Sequence, residues 1–566
     1  MRVVYSLSCD DRVRPEAEYA TATCLTTLGF FFDGPQLSGP GTLLSYGELS
    51  AESVERVEKG SWAVRIQHHT EMFESMVEQG SMPRIEGWAL DPGRFPILGP
   101  LEVSSRGTVL VEIERSDGSR FPLVTEERIG EGGLIALNFD MVAAVFFFLS
   151  RIEETVGGVV DRFGRFPQED VLCARGGFEL APAVNGYLDM LRKAVFGAAQ
   201  RSGVSLLRKL EWPGGEDYCL SLTHDVDRLA RWRGRSIIKG FLTGRAAQVV
   251  GSLLSIERDP WWKLDAIQKV ERERAVRSSF FFFADKGGNR GGRYDPVAIE
   301  EVLKELVREG WEVALHGSYE SMVDGDRLAG ERKRLSLVLG GDVTGVRQHY
   351  LRFNIPVSVG CMEGAGFEYD ASVGFSDRAG FRASICLPFR LYDLENRRPS
   401  SLLELPIAVM DGALPLAATS RQEAMVGLVD AVRDRKGLLS VIWHQRSFDE
   451  STFPGLASLY DWFLSRAAAD RPYFATQREV ASWWRKRGAL EIVGIERSGK
   501  VFAVSFSAPR GAESVTLELC GSIRLSNARG VRAESLLDRA DRFCRLRLSE
   551  MEKHAFELEF EETYER

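Results

Sequence analysis

The strongest constraint in this chain is a rhythm. Between 206 and 488, short apolar segments alternate with amphipathic stretches of helical period. The segments 217–227, 278–284, 311–316, 343–350 and 438–444 have the length and β-branched or aromatic content of buried strands. The stretches 262–277, 296–309, 324–339, 421–435, 453–468 and 477–487 read as helices. The helix at 296–309 shows the signals well: Pro296 near its first turn, one stripe of Ile299, Val302, Leu303, Leu306 and Val307, and Gly310 at its end. Strands separated by helices of this length imply parallel βαβ units. A run of such units closes into a barrel or a doubly wound sheet, and in both the functional residues lie at the C-terminal strand ends.

The flanks have other rhythms. Residues 1–205 mix strands and helices: a strand pair over 101–123 around a turn at 116–119, and helices at 138–155 and 182–200, the latter with Leu188, Leu191 and Val195 on one side. The most apolar run, from Met141 to Leu149, is far short of the ~20 residues of a membrane span. The charged Arg151, Glu153 and Glu154 that follow it predict a buried helix emerging into solvent. Residues 489–566 alternate apolar and polar, as in a small sandwich-like β domain. Because one hydrophobic core rarely exceeds roughly 250–300 residues, the expected division is 1–205, 206–488 and 489–566.

Composition narrows the function classes. A net charge of −9 argues against nucleic acid as the main partner. The eight cysteines are dispersed with no CxxC pair, which argues against a thiolate zinc site or a disulfide framework. The first residues lack the apolar core of a secretory signal. A cytoplasmic location without a transmembrane segment is the default expectation, with association to a membrane surface through a lipid-linked substrate kept open. No oligomeric state is implied.

The chemistry-bearing residues gather at the strand ends. In Thr223-His224-Asp225-Val226-Asp227 the alternation of a strand puts Asp225 and Asp227 on one face, where one could act as a base and the other as a metal ligand. His224 faces away and is read as structural. His316 ends the apolar run Val313-Ala314-Leu315. Arg347 and His349 share a face by the same period of two, so an Arg347 that reaches Asp225 and holds it ionised brings His349 with it. His444 ends 438–444, and Asp411 ends the segment 403–411. An aspartate beside that histidine would fix its tautomer and raise its pKa, which suits a general acid. Trp443 either lines a sugar site or sits in the core. His68, His69 and His554 have no such setting and are expected at the surface.

Together these motifs resemble those of the NodB-homology polysaccharide deacetylases. The resemblance spans about 270 residues and implies a distorted (β/α) barrel. The segment 223–227 is similar to the family's first motif, an Asp base and an Asp ligand, with one residue inserted between them. His316-Gly317-Ser318-Tyr319-Glu320 resembles its His-Ser-x-x-His, with Glu320 in place of the second histidine. Arg347-Gln348-His349-Tyr350 resembles Arg-x-Pro-Tyr, with His349 in place of proline. The segments 147–154, 161–167 and 380–383 look like an uncharacterised domain, and the branch that carries it, found with divergent members.

The fold class expected is therefore α/β: a deacetylase barrel flanked by an α+β N-terminal domain and a small all-β C-terminal domain. The resemblance implies a metal-dependent hydrolase removing N-acetyl or O-acetyl groups from a saccharide, with zinc or another divalent cation. Asp227 and His316 would be ligands, with His349 as the favoured third and Glu320 as the alternative. Asp225 would be the base, held by Arg347. The backbone N–H of Tyr350 would meet the oxyanion, and His444, oriented by Asp411, would be the acid. The alternative is a catalytically inactive carbohydrate-binding or assembly protein on the same barrel.

Overall fold

The computed structural model describes residues 1–562, apart from 34–40, 80, 90–93, 104–106, 116, 285–293, 509–513, 522, 538–542 and 550–554. Ser116 of the expected turn and His554 lie outside the described residues.

The middle of the chain forms a sheet from β1 (Cys219–Val226), β2 (Ser279–Phe282), β3 (Glu312–Gly317), β4 (Gly345–Gln348), β5 (Tyr369–Asp370), β6 (Phe389–Asp393), β7 (Arg398–Glu404), β8 (Ile407–Met410) and β9 (Leu438–Ile442). Their order is β6-β7-β5-β4-β3-β2-β1-β9-β8, and only β6 pairs antiparallel with its neighbour in that path. Helices connect most of the parallel neighbours, as the alternation requires: Leu264–Arg272 before β2, Glu300–Arg308 before β3, Gly325–Leu339 before β4 and Ala418–Arg433 before β9. Among the described residues β6 and β8 are not paired, so the sheet is an open, curled version of the expected barrel. Burial is nearly complete: β1, β2, β3, β4 and β9 have every residue buried, so their polar members, among them His224, Asp225, His316 and Arg347, find their partners inside the protein.

The N-terminal part holds a nine-stranded mixed sheet made by residues 3–137. Helix Met141–Ser150 is buried along its whole length. The expected emergence into solvent does not occur. Arg151 is 2% exposed, Glu153 3%, and the chain turns through a left-handed Arg151 (φ 55°). Glu154 is ion-paired with Arg151 and with Arg382, 3.0 Å away in the middle region. Charges at a helix end are tolerated in the interior when they are paired, and here the pairing ties the first region to the second. His68 and His69 are also not surface groups. Their side chains are 9% and 10% exposed, and His68 Nδ1 lies 2.6 Å from the Tyr46 hydroxyl.

Two four-stranded sheets make the C-terminal part. One is not purely C-terminal, because Leu206–Lys209 pairs antiparallel with Ser514–Cys520. The free cysteines are buried or half-buried. No described helix is long and apolar enough to cross a membrane.

Candidate metal centre and active site

Parallel register aligns the chemistry. In β1 and β9, Thr223 stands beside Ile442, so Asp225 and His444 lie two residues further along at the same rim. In β3 and β4, His316 stands beside Arg347. The result is a cavity of about 280 Å³ lined by Asp225, Asp227, His316, His349, Tyr350, Asp411 and His444, with Phe163 and Arg165 from the N-terminal region.

Three donor atoms converge there. His316 Nε2 and His349 Nδ1 lie 3.0 Å apart. They stand 3.4 and 3.5 Å from Asp227 Oδ1. His316 Nδ1 is 2.9 Å from the Arg347 carbonyl oxygen. A carbonyl only accepts, so Nδ1 carries the proton and a neutral ring leaves Nε2 bare toward the other two atoms. Burial lowers the His349 pKa to about 3, which keeps its ring neutral. Asp227 Oδ1 is buried and makes no hydrogen bond. Burial would raise the Asp227 carboxyl, but His316, His349, His444 and Arg446 outweigh it and hold it well below the usual range. A tetrahedral zinc with bonds of about 2.0–2.1 Å sets adjacent donors roughly 3.3 Å apart. The observed triangle fits such an ion, and these residues form a candidate metal group among the described residues.

His349 enters the triangle by a route different from the one alternation suggests. Strand β4 stops at Gln348, and residues His349–Leu351 form a tight turn in which Tyr350 has φ 61° and ψ 18°. Glu320, the alternative ligand, is not in the group. Its side chain is 43% exposed and lies 3.8 Å from Arg327.

Beside the triangle are two further pairs. Arg347 Nη1 donates to Asp225 Oδ1 at 2.7 Å and to Thr223 Oγ1 at 2.8 Å, while its Nε donates to the Ala371 carbonyl at 2.8 Å. Burial favours protonation of Asp225; Arg347, with His316 and His444, overrides it and keeps the carboxylate ionised. On the opposite side, His444 Nδ1 meets Asp411 Oδ1 at 2.8 Å, and the His444 backbone N–H donates to Asp411 Oδ2 at 2.9 Å. Burial works against a charge on His444, but Asp411 prevails and raises it to about 9. Its Nε2 faces the site, 3.7 Å from Asp227 Oδ2.

Two nearby residues lie outside the centre. His224 is fully buried, with Nδ1 at 2.6 Å from the Trp443 carbonyl and Nε2 at 3.0 Å from Glu271. Trp443 is a core residue, 0% exposed and packed on Tyr460 with ring centroids 5.2 Å apart.

Several site residues had no signal by strand position. Arg446 Nη1 lies 3.4 Å from Asp227 Oδ2, and the Ser447 hydroxyl donates to Asp411. Phe163 stacks on Tyr350 with ring centroids 4.5 Å apart. Arg165 Nη1 donates to the Tyr350 carbonyl at 2.5 Å and to Ser376 Oγ at 3.1 Å, while Asp161 binds its other face. The N-terminal region therefore buttresses the turn that holds His349.

Residues 41–198 match the model of a family of unknown function, DUF7033. No curated protein matches the sequence. Solved structures similar to the chain include carbohydrate deacetylases. A candidate polysaccharide deacetylase from Mycobacterium smegmatis is 21% identical, with 49% of this chain and 93% of that one covered and a TM-score of 0.36. Agd3, a carbohydrate deacetylase, is 9% identical, with 100% of this chain and 99% of that one covered and a TM-score of 0.38.

Proposed function

We propose that this protein is a metal-dependent deacetylase acting on an acetylated saccharide. The observation that carries the reading is the near-equilateral triangle of Asp227, His316 and His349 donor atoms, set between an ionised Asp225 and a protonated His444. The motif resemblance supplies the substrate class; the donor set suits zinc, and other divalent cations with an affinity for imidazole also fit.

A bound divalent cation would lower the pKa of a coordinated water and polarise the acetyl carbonyl. The residues of the chain supply the rest. Asp225, kept as a carboxylate by Arg347, accepts the proton of the attacking water. The backbone N–H of Tyr350, at the left-handed turn beside His349, would meet the developing oxyanion. His444 carries a proton on Nε2 because Asp411 stabilises the imidazolium, and it donates that proton to the departing amine or alcohol. Phe163 and Tyr350, stacked at the rim, offer an aromatic face to a sugar.

The test is acetate release from acetylated saccharides by the purified full chain, with and without added zinc. Zinc-stimulated release that is lost in Asp225→Asn supports the assignment. A protein that binds the metal yet releases no acetate from any N- or O-acetylated saccharide overturns it, and points to a non-catalytic carbohydrate-binding role.

A further inference from the structure

Directly after Asp227 the chain changes character. Arg228, Arg231, Arg233, Arg235, Lys239 and Arg245 occur with no Asp or Glu between 228 and 256, in a protein whose net charge is −9. These six residues line one cavity of about 670 Å³, and among the described residues no carboxylate lines it. The same segment folds into two short helices, Arg235–Leu242 and Ala246–Leu254, packed on each other through Gly240 and Val249.

The apolar faces of this helical hairpin are turned outward. Ile238 is 63% exposed and Leu242 82%; Leu253 is 60% exposed and Leu254 72%. Phe241 and Val250 are exposed as well. In each helix the exposed residues sit at i, i+3 and i+4, the spacing that elsewhere in this chain faces the core. Of the residues in these two helices, Gly240 and Val249 are the buried ones.

We propose that the hairpin at 235–254 docks the protein on an anionic lipid bilayer, with lipid phosphates drawn to the arginine-lined cavity and the apolar rows inserted at the headgroup boundary. Helices that lie in a membrane interface combine those two faces: cations on one side, Leu, Ile and Phe on the other. Anionic leaflets attract clustered Lys and Arg on their own. The two features together select the partner. A nucleic acid would use the cations and leave six large apolar side chains in water. An apolar protein surface would cover those side chains and bring no anion to the cation-lined cavity. A bilayer bearing acidic lipids complements both.

The hairpin is anchored next to the candidate active site. Arg231 Nη1 donates to Thr452 Oγ1 at 2.6 Å and to Asp449 Oδ2 at 3.1 Å, while Asp259 accepts the backbone N–H groups of Arg231 and Trp232 at 2.7 and 3.2 Å. Thr452 adjoins Phe453, which lines the catalytic cavity. Docking would hold that rim near the lipid surface. The proposal does not rest on the deacetylase reading, because membrane binding is read without any turnover.

The experiment is flotation of the full chain with vesicles of phosphatidylcholine alone or mixed with phosphatidylglycerol. Binding is expected to the mixed vesicles, to weaken as salt is raised, and to fall roughly tenfold when two cations are reversed in Arg235→Glu/Lys239→Glu. Leu242→Ser/Leu254→Ser should reduce binding at fixed salt while leaving the thermal unfolding curve and bound metal unchanged, since both side chains are exposed. Failure to float with mixed vesicles, or flotation indifferent to both double variants, overturns the proposal. So would patch-dependent dimerisation in light scattering, or patch-dependent binding to duplex DNA, in a protein that ignores vesicles.

Discussion

Arg347 and Asp225 form an ion pair closed off from water: Nη1 and Oδ1 are 2.7 Å apart, the arginine side chain is 0% exposed and the aspartate side chain 5%. The arginine Nη2 is buried without a hydrogen-bond partner among the described residues, and the rest of the guanidinium is held by protein. Its Nε is on the Ala371 carbonyl, and its π face lies 4.1 Å from the Phe281 ring centroid. The arginine therefore serves stability and chemistry at once, because the carboxylate it stabilises is the candidate base.

Arg347→Met should expose that coupling. Removing one partner of a buried pair costs about 3–5 kcal/mol, since the other charge is left uncompensated. The sign for Asp225 follows from its depressed pKa. Its contribution to stability is present above the unfolded value of about 3.9 and lost as pH falls through the lower folded value. Without Arg347, burial is opposed only by the weaker pull of His316 and His444 and the pKa rises, so the variant should lose stability at neutral pH and regain part of it in mild acid. Urea denaturation of both proteins at pH 5 and pH 7.5 checks this. A variant equally destabilised at both would show that the pair does not set the ionisation of Asp225.

Metal binding should follow the triangle and ignore Glu320. Asp227→Ala, His316→Ala and His349→Ala are each expected to lower bound zinc from about one equivalent to near none, as three protein ligands define one site. Glu320→Ala should retain it. Elemental analysis after dialysis separates these cases. Thermal unfolding of the parent protein should shift upward with added zinc by linkage, and that shift should vanish in His349→Ala.

The sequence makes the strand-borne part of this site legible and hides the rest for identifiable reasons. Asp225, Asp227 and His316 are readable because a strand alternates and an apolar run must end at the rim. His349 reaches the centre, but through a turn: Tyr350 is left-handed at φ 61°, a conformation no side-chain pattern announces. The Arg165 contact with Tyr350 spans 185 residues, beyond any local rule. Apolar spacing tells which residues share a helix face and not whether that face is wet, so nothing in the spacing at 235–254 announces that its apolar rows are exposed. The buried charge of Glu154 misleads in the opposite direction, because Arg382, the second cation that pairs with it, is 228 residues away.

The pH profile of acetate release should be a broad bell. Its acid limb reports Asp225, below the usual carboxylate value because Arg347 overrides burial. Its alkaline limb reports loss of the His444 proton near pH 9. Asp411→Asn removes what holds that proton, and burial then pushes His444 below its ordinary value of about 6.5. The alkaline limb should move down by more than two pH units. Stability should respond in step: His444 in the parent protein contributes fully below about pH 6.5 and loses that contribution as pH rises through about 9. An unmoved alkaline limb in Asp411→Asn would remove His444 from the acid role.

The N-terminal region should prove necessary for the centre although it supplies no ligand. Arg165 clamps the carbonyl of Tyr350 and the hydroxyl of Ser376, and Asp161 orients it through a 2.7 Å ion pair. The clamped turn is the one that carries His349 inward, and it holds a non-glycine residue in a left-handed conformation that costs of order 1 kcal/mol to maintain. In Arg165→Ala that restraint is gone, so His349 samples positions away from Asp227 and His316. Loss of an orienting partner to a metal ligand typically weakens binding 10–100-fold. The expected result is a zinc affinity reduced by that factor in competition with a chromogenic chelator, measured where the metal-free variant is still fully folded by its unfolding curve. Arg165→Lys should rescue little, because one ammonium cannot span Tyr350, Ser376 and Asp161 together as the planar guanidinium does. If zinc affinity is unaffected in Arg165→Ala, the N-terminal region touches the rim without positioning the metal site.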